Sequence, residues 1–550
     1  MAELLLGPLL RYVGTAEATV WVEVDGPCAV RVLDHEATSF QVGTHHYALV
    51  VIRGLEPGSC TEYEVHLDGA RAWPLEEPPF GPSYVRTLRE GGDVRLAFGS
   101  CRVSVPDIPP WVRTKDEDPR GREVDALAGL VTEMQRQEPA AWPDLLLLVG
   151  DQVYADEVSP GVQGQITARL EAGDRHSSAP PNEVGDFEEY TWLYRESWAD
   201  ASLRWLLSTV SSAMIFDDHD VHDDWNTSEA WVREIRERPW WRERILGAYA
   251  SYWLYQHLGN MSPEELAEDE LFAELQTGGD HTRTLQHFAG HAADEVAGTR
   301  WSFRRDLGAT RLVVLDSRAG RILDEGDRKM LSDDELDWVE AQLREPGATH
   351  LLVATSLPWL LAPGLHHLEA WNEAVCGGAW GPRLARRAEK LRQDVDLEHW
   401  AAFRQSFERL TRLLADVGSG PAAPATIAVL SGDVHHAYVA EASFPGRQVS
   451  SRIIQAVCSP IRNPLDKKER RALRAAASRP AAAVARVMAR AAGVARPEVR
   501  WRFTQDPLFD NQICLVELEG RSVSLSLKRT LPADWEHPRL HNSLEWSSAA

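Results

Sequence analysis

The sequence predicts an α/β protein, with a small β-sandwich followed by a layered core of buried strands and helices. Three observations predict it. Residues 11–70 alternate apolar and polar side chains in short stretches (ATVWVEV, AVRVLD, HYALVVI) broken by Gly, Pro and Asp turns, the period-two pattern of half-buried strands. From about residue 93, six apolar runs lack that alternation: VRLAFGSCR (94–102), DLLLLVGDQVY (144–154), SAMIFDDHD (212–220), RLVVLDSR (311–318), HLLVATSLP (350–358) and TIAVLSGDVHH (426–436). Such runs read as strands buried on both faces, and the helical segments between them give an α/β or layered α+β core. At 550 residues the chain exceeds the size at which one core stops growing, so at least two domains are expected.

Taken in order, the β-sandwich occupies 1–90 and the proline-rich WPLEEPPFGP (73–82) reads as its linker. The core occupies 93–530, with helical insertions at 160–208 and 229–300, a basic helical segment at 466–500 and a tail at 531–550. Aromatic residues crowd FEEYTWLYRESWADASLRWLL and WVREIRERPWWRERILGAYASYWLYQHL. Their helical spacing favours packing on a sheet over a substrate-stacking wall. Residues 261–300 are acidic and weakly patterned, which reads as a surface excursion. The segment 466–500 is Ala-rich, with ten Lys or Arg against three acids. It reads as a solvated helix covering the core, with contact to an anionic membrane or polymer as the alternative.

A formal charge of −25 argues against a broad nucleic-acid surface or an anionic membrane as the main partner. A phosphorylated substrate stays open, because bound cations reverse the local potential. Six cysteines, at 28, 60, 101, 376, 458 and 514, form no CxxC pair and no regular framework, which points to a reduced, cytoplasmic chain. The opening MAELLLGPLLRYVG has no basic n-region and no twin arginine, and no apolar run is long enough to span a bilayer.

Ligands of open α/β sheets bind outside the carboxyl ends of the strands. Cys101, Asp151, Tyr154, Asp218, His219, Asp433 and His435 all follow buried runs and so are expected on one rim, where a thiol, carboxylates, a phenol and imidazoles suggest a metal site that does hydrolysis. In GDQVY (150–154) the glycine permits a tight turn, Asp151 can bridge two cations, and Tyr154 can turn back to the same point. In DDHD (217–220), adjacent acids ending an apolar strand are costly without a cation, although an aspartate there can also cap a helix. GDVHH (432–436) repeats the arrangement with Asp433 and His435. Cys101 alone would read as a buried small hydrophobe; beside the other clusters the ligand reading leads. Arg102 and Arg318 are candidate phosphate contacts, Arg318 equally a brace for its own loop through Asp316.

These pieces, FGSCR, LLLLVGDQVYADE, IFDDHDVHDDWN, VVLDSRAGR and VLSGDVHHAYVA in that order, resemble the PhoD-like alkaline phosphatases and phosphodiesterases, a branch of the calcineurin-like metallophosphoesterases. The GLEPGSCTEYEV segment is similar to the fibronectin III-like sandwich that precedes their catalytic domain. The resemblance implies a layered αββα core of two packed mixed sheets flanked by helices. It also implies a first metal position at Cys101, Asp151, Tyr154 and His435, and a second sharing Asp151 and adding Asp218 and Asp433. Three anionic ligands suit Fe³⁺ at the first position, and oxygen donors suit Ca²⁺ at the second, with Mg²⁺ or Mn²⁺ behind it. Cys101 replaces the DxH pair of most of the wider superfamily, and ATSLPWL stands where those proteins place a further histidine. Both departures favour the PhoD-like branch over a di-zinc or di-manganese enzyme.

The expected activity is hydrolysis of phosphomonoesters or phosphodiesters, on a small molecule or polymer, by a metal-bound hydroxide. Arg102 would neutralise phosphoryl charge, and His219, as imidazolium, would protonate the departing oxygen. The competing readings are a non-catalytic metal-containing binding protein and a zinc hydrolase acting on C–N bonds.

Overall fold

A computed structural model describes residues 2–75 and 80–548. The proline-rich 73–82 segment is described only at its ends, and 76–79 lie outside the described residues.

The first 86 residues form two four-stranded sheets, one ordered Leu4–Val13, Glu17–Val24, His45–Arg53, Phe40–Val42, and the other His35–Thr38, Ala29–Val32, Val65–Leu67, Ala70–Trp73. A further pair, Cys60–Tyr63 with Ser83–Arg86, stands beside them. The alternation seen in the sequence sorts side chains between two interiors. Val20, Val22, Val30, Val32, Val50 and Val65 fill the space between the sheets. Trp21, Tyr47 and Leu49, on the other face, join the core of the rest of the molecule. The sandwich is thus docked through a buried face rather than hung on a linker.

Two mixed sheets form the main body. The first runs Ser211–Ile215, Leu145–Val149, Val94–Gly99, Gln512–Glu519, Ser522–Arg529, His541–Ser547. Its first three strands are parallel, and the return at Gln512–Glu519 is antiparallel. The second runs Phe303–Leu307, Thr310–Leu315, His350–Thr355, Thr426–Ser431, Arg452–Val457, Tyr438–Ser443, Arg500–Phe503, parallel across its middle four. Period two divides the second sheet cleanly. Leu312, Val314, Leu352, Ala354, Leu430 and Ile454 face the first sheet. Val313, Leu315, Leu351, Val353, Val429 and Ile453 face the helices Asp333–Arg344 and Arg404–Val417. Helices Ala126–Met134 and Ala201–Thr209 join the core on the first-sheet side. The result is the layered αββα arrangement, and all six apolar runs supply strands of it.

The aromatic-rich insertions are helical, and their indoles pack inward: Trp198, Trp205 and Trp253 are buried. Residues 261–300 are more structured than expected, with helices Pro263–Glu268, Glu270–Leu275 and Thr282–Asp294, the last packed along Trp241–Tyr252. The segment read as a tail is corrected: His541–Ser547 pairs antiparallel with Ser522–Arg529 as an edge strand. Only Leu544 of that strand is buried, so its sequence carries little apolar signal. No helix among the described residues is long and apolar enough to cross a membrane, and all six cysteines are free.

Candidate metal centre

Parallel strands end together, so whatever follows each one meets on a common rim. From the first sheet come Cys101, Asp151 and the 217–220 turn; from the second come Arg318, Asp433 and His435. Chain reversal there is sharp enough that Cys101, Asp151, Asp433 and His435 all adopt positive φ (57°, 50°, 66° and 50°). Backbone held in that region by non-glycine residues costs about 1–3 kcal/mol each and gathers at functional sites. Gly150 and Gly432 make the approach possible. A Cβ on Gly150 would sit 2.7 Å from the Asp217 Cβ, and one on Gly432 would overlap the Ser100 side chain.

Carboxylate oxygens of Asp151, Asp217 and Asp218 lie within 4.8 Å of one another, all three residues buried; Asp218, His219 and Asp223 form a second such group toward solvent. The Tyr154 hydroxyl is 3.4 Å from Asp151 Oδ2 and accepts from Asn463 Nδ2 at 3.2 Å. Cys101 Sγ is 3.5 Å from the Asp433 carbonyl oxygen and 3.2 Å from the hydroxyls of both Ser100 and Ser459. Asp433 Oδ2 is 3.1 Å from His399 Nε2, whose other ring nitrogen is 2.6 Å from Glu369. Asp220 holds the turns, accepting from the backbone N–H of Asp151 and of Asp217 at 3.0 and 2.9 Å.

The electrostatics are those of a buried anionic basin. Burial, then Asp151 and Asp433, push the Cys101 thiol far up. Burial likewise raises Asp151, Asp217, Asp218 and the Tyr154 phenol. Burial lowers His435 to about 3, which keeps its ring neutral, as metal ligation requires. For His219 burial opposes charge, but the Asp156 carboxylate, 3.0 Å from Nδ1, overrides it and raises the pKa well above the usual value. Burial also works against the Asp433 carboxylate, which His399 and Arg318 nevertheless hold below its ordinary range.

At the centre, Asp151 Oδ1, Asp217 Oδ2, Asp218 Oδ1 and His435 Nδ1 are buried without a hydrogen bond among the described residues, Asp218 Oδ1 facing the likewise unbonded Arg318 Nη2 at 3.1 Å. Unsatisfied buried polar atoms are rare and costly. Here they are lone-pair donors of the kind that hold cations, so the residues present can hold a metal; the close group includes Asp217, which the expected sets lack, and does not extend to Cys101, Asp433 or His435.

Arg102 does not face the basin. Its Nε donates to Asp125 at 2.7 Å and its Nη1 to the Ser197 carbonyl at 2.9 Å, both buried. The residue after the Cys101 turn points away from the basin, so the guanidinium is spent on structure. Arg318 instead lies inside. It bonds Asp217 and Glu398, with Nη2 3.1 Å from Asp218 Oδ1 and 3.5 Å from Asp433 Oδ1, close enough to pair but without a hydrogen-bonding angle. Its loop is braced as well, since Asp316 accepts from the Arg318 backbone N–H at 2.8 Å.

The description PhoD-like phosphatase matches residues 128–506. The chain belongs to that family. A domain of unknown function, DUF7800, matches residues 1–85. No curated protein matches in sequence. Among solved structures, one titled "Structure of PhoD" aligns with a TM-score of 0.61 at 12% identity, covering 99% of this chain and 90% of its own; at that identity the likeness speaks for the fold. A maltogenic amylase from S. marinus and an amylomaltase from Corynebacterium glutamicum align over 95% and 88% of this chain, both at 11% identity and over 76% and 90% of their own lengths. Their TM-scores of 0.15 and 0.20 carry no argument. As a PhoD-like phosphatase, the chain is a metal-dependent enzyme of phosphoester hydrolysis.

Several residues of this PhoD-like phosphatase's centre escaped the sequence reading. Ser459 and Asn463 follow the strand Arg452–Val457, whose RIIQAV run carries the same signal as the other six and could have been found. Asp217 stood in the DDHD motif and Asp156 five residues beyond Asp151. Glu398 and His399 follow a helix and an irregular stretch, and no apolar run marks them.

Proposed function

We propose that this phosphatase cleaves phosphomonoesters or phosphodiesters at two adjacent cations. One would be held by Cys101, Asp151, Tyr154 and His435, the other by Asp151, Asp218 and Asp433. A thiolate, a phenolate and a carboxylate favour Fe³⁺ at the first, and oxygen donors favour Ca²⁺ at the second, with Mg²⁺ or Mn²⁺ as substitutes. Bound there, the cations would supply positive charge to the phosphoryl oxygens and acidify water. The observation that carries the reading is the buried Asp151, Asp217 and Asp218 oxygens within 4.8 Å, three of them without a hydrogen bond.

The chain's own residues supply the rest. His219 and Asp433, at 20% and 18% side-chain exposure, and the partly exposed His435 face the opening, so substrate arrives over them. Asp156 binds His219 Nδ1 and leaves Nε2 toward the opening, where an imidazolium can protonate a leaving oxygen. Arg318 places Asp217 and Asp218 and offsets part of the burial that raises both carboxyls; fully buried, it positions ligands and does not touch substrate. His399, tied back to Glu369, does the same for Asp433. His222, stacked at 6.1 Å on Trp240, offers a flat surface beside Asp223 for an aromatic leaving group. We place the protein in a reducing compartment, in keeping with six unpaired cysteines.

The test is turnover of p-nitrophenyl phosphate and bis(p-nitrophenyl) phosphate, with metal analysis of the same sample. Asp151→Asn, which removes the shared donor, should lower kcat at least a hundredfold and deplete both metals. Full activity in a metal-poor Asp151→Asn protein would overturn the proposal. Zinc as the sole metal would replace it with the C–N hydrolase reading.

A further inference from the structure

The basic segment 466–500 plays no part in the centre described above, yet the fold gives it a definite place. Helices Lys467–Ala476 and Arg479–Ala491 turn at Ser478, and the second packs along helix Pro363–Cys376. Small residues allow it. Ala482, Ala485 and Ala489 recur at helical spacing and are buried, and Gly364 passes so near Ala476 that any Cβ would strike its carbonyl.

Arginines at the edge of that contact, with those of the chain leading into Arg500–Phe503, surround a cavity of about 410 Å³. That volume lies within the range of small-molecule sites. Its floor is apolar and ring-lined: His366 lies 4.8 Å from Phe407 and 4.7 Å from Trp501, centroid to centroid. Its rim is mostly cationic, Glu408 being the one carboxylate in the lining, 3.8 Å from Arg412. Arg486, Arg490, Arg496 and Arg500 line it, and among the described residues none of the four is ion-paired with a carboxylate. Arg404, also in the lining, is 3.9 Å from Glu373.

In a chain of net charge −25, four unpaired arginines around one apolar hollow run against the general composition. Like charges held together without counter-ions repel, and an anion relieves that repulsion. A second observation points to a ligand. His366 is 2% exposed, lines the cavity and has a buried Nδ1 without a partner. Burial holds its ring neutral, its pKa lowered to about 3. His367 is neutral too, lowered to about 4 by burial and then by Arg486 and Arg490.

We infer that this cavity binds an amphipathic anion, a phosphate, sulfonate or carboxylate head on an aromatic or short acyl body, apart from the metal centre. The arginine fork takes the head and the His366, Phe407 and Trp501 floor takes the body. None of the lining residues is a donor of the centre, although helix Pro363–Cys376 also carries Glu369, the partner of His399.

The probe is 1-anilinonaphthalene-8-sulfonate, titrated into the full-length protein and read by fluorescence. Saturable binding is expected, weakened at least tenfold by R490E/R496E and at least threefold by Arg500→Glu, and unchanged by Asp151→Asn. Arg490, Arg496 and Arg500 are exposed and without an ion pair among the described residues, so these variants should fold, with circular dichroism as the check. Competition by 2-naphthoate, by octanoate, or by both then identifies the body preferred. Displacement by neither would overturn the inference, as would affinity within twofold of the parent in both arginine variants or equal loss of binding in Asp151→Asn.

Discussion

His219 shows how one side chain's neighbours set its chemistry. Its Nδ1 is committed to Asp156, itself fixed by the Asp223 backbone N–H at 2.6 Å, and its ring lies 4.6 Å from that of Tyr154. A proton on Nε2 is needed most when the leaving oxygen is basic. His219→Gln should therefore slow alkyl phosphate hydrolysis by about 10²–10⁴, the usual worth of a general acid. Release of p-nitrophenolate, a good leaving group, should fall much less. Equal losses on the two substrate types would remove His219 from that role. Asp156→Asn should reproduce the same selectivity in milder form. The neighbouring Arg102 teaches the converse lesson. One residue beyond a left-handed turn its side chain is carried to the other side of the strand end, where Asp125 captures it. Residue type and proximity in sequence were visible; direction was not, because φ at Cys101 is set by what the other strands bring.

Elements meet through charges as well as apolar faces. Strand His45–Arg53 of the sandwich touches helix Phe187–Trp198 through His45, whose ring nitrogens lie 3.1 Å from Glu23 and 2.8 Å from Glu188, while Arg195 reaches Glu23 at 2.6 Å. Burial disfavours the imidazolium, but hydrogen bonds to Glu188 and Glu23 outweigh it and raise its pKa to about 9. With the folded value above the unfolded one of about 6.5, the stabilisation is complete below pH 6.5 and disappears as pH rises through 9. Its size is on the order of 2–3 kcal/mol, since Glu188 is partly solvated. His45→Gln should lower stability at pH 6 and flatten the decline in Tm between pH 6.5 and 9; a variant that keeps the wild-type slope would remove His45 as its source. No single-sequence signal pairs His45 with Glu188, because the contact joins two independently patterned elements. The strands themselves were legible for the opposite reason. VRLAF, LLLLV and TIAVL need both faces covered, and that requirement is written locally. His399 reaches Asp433 from a stretch without any run, so only the packed fold discloses it.

At the scale of the molecule, the centre straddles the two sheets. Cys101, Asp151 and Asp218 stand on ends of the first, Arg318, Asp433 and His435 on ends of the second. Apolar side chains fill the interlayer below this rim, but at the rim the facing groups are carboxylates, which repel. Arg318 offsets part of that repulsion by bridging Asp217 and Asp218 to Asp433. Cations shared by Asp151 and Asp433 would offset the remainder and tie one sheet to the other. A ligand that binds only the folded state stabilises it by about 2.7 kcal/mol at a hundred times its Kd. In a chain of 550 residues that is a Tm shift of a few degrees at most. Chelation should therefore lower Tm by a few degrees, and the shift should shrink in Asp151→Asn. Asp433→Asn should shrink it equally, although its donor comes from the other sheet. Scanning calorimetry of the three proteins with and without chelator reads this directly. A chelator shift unaltered by either substitution would mean that the metals do not join the sheets.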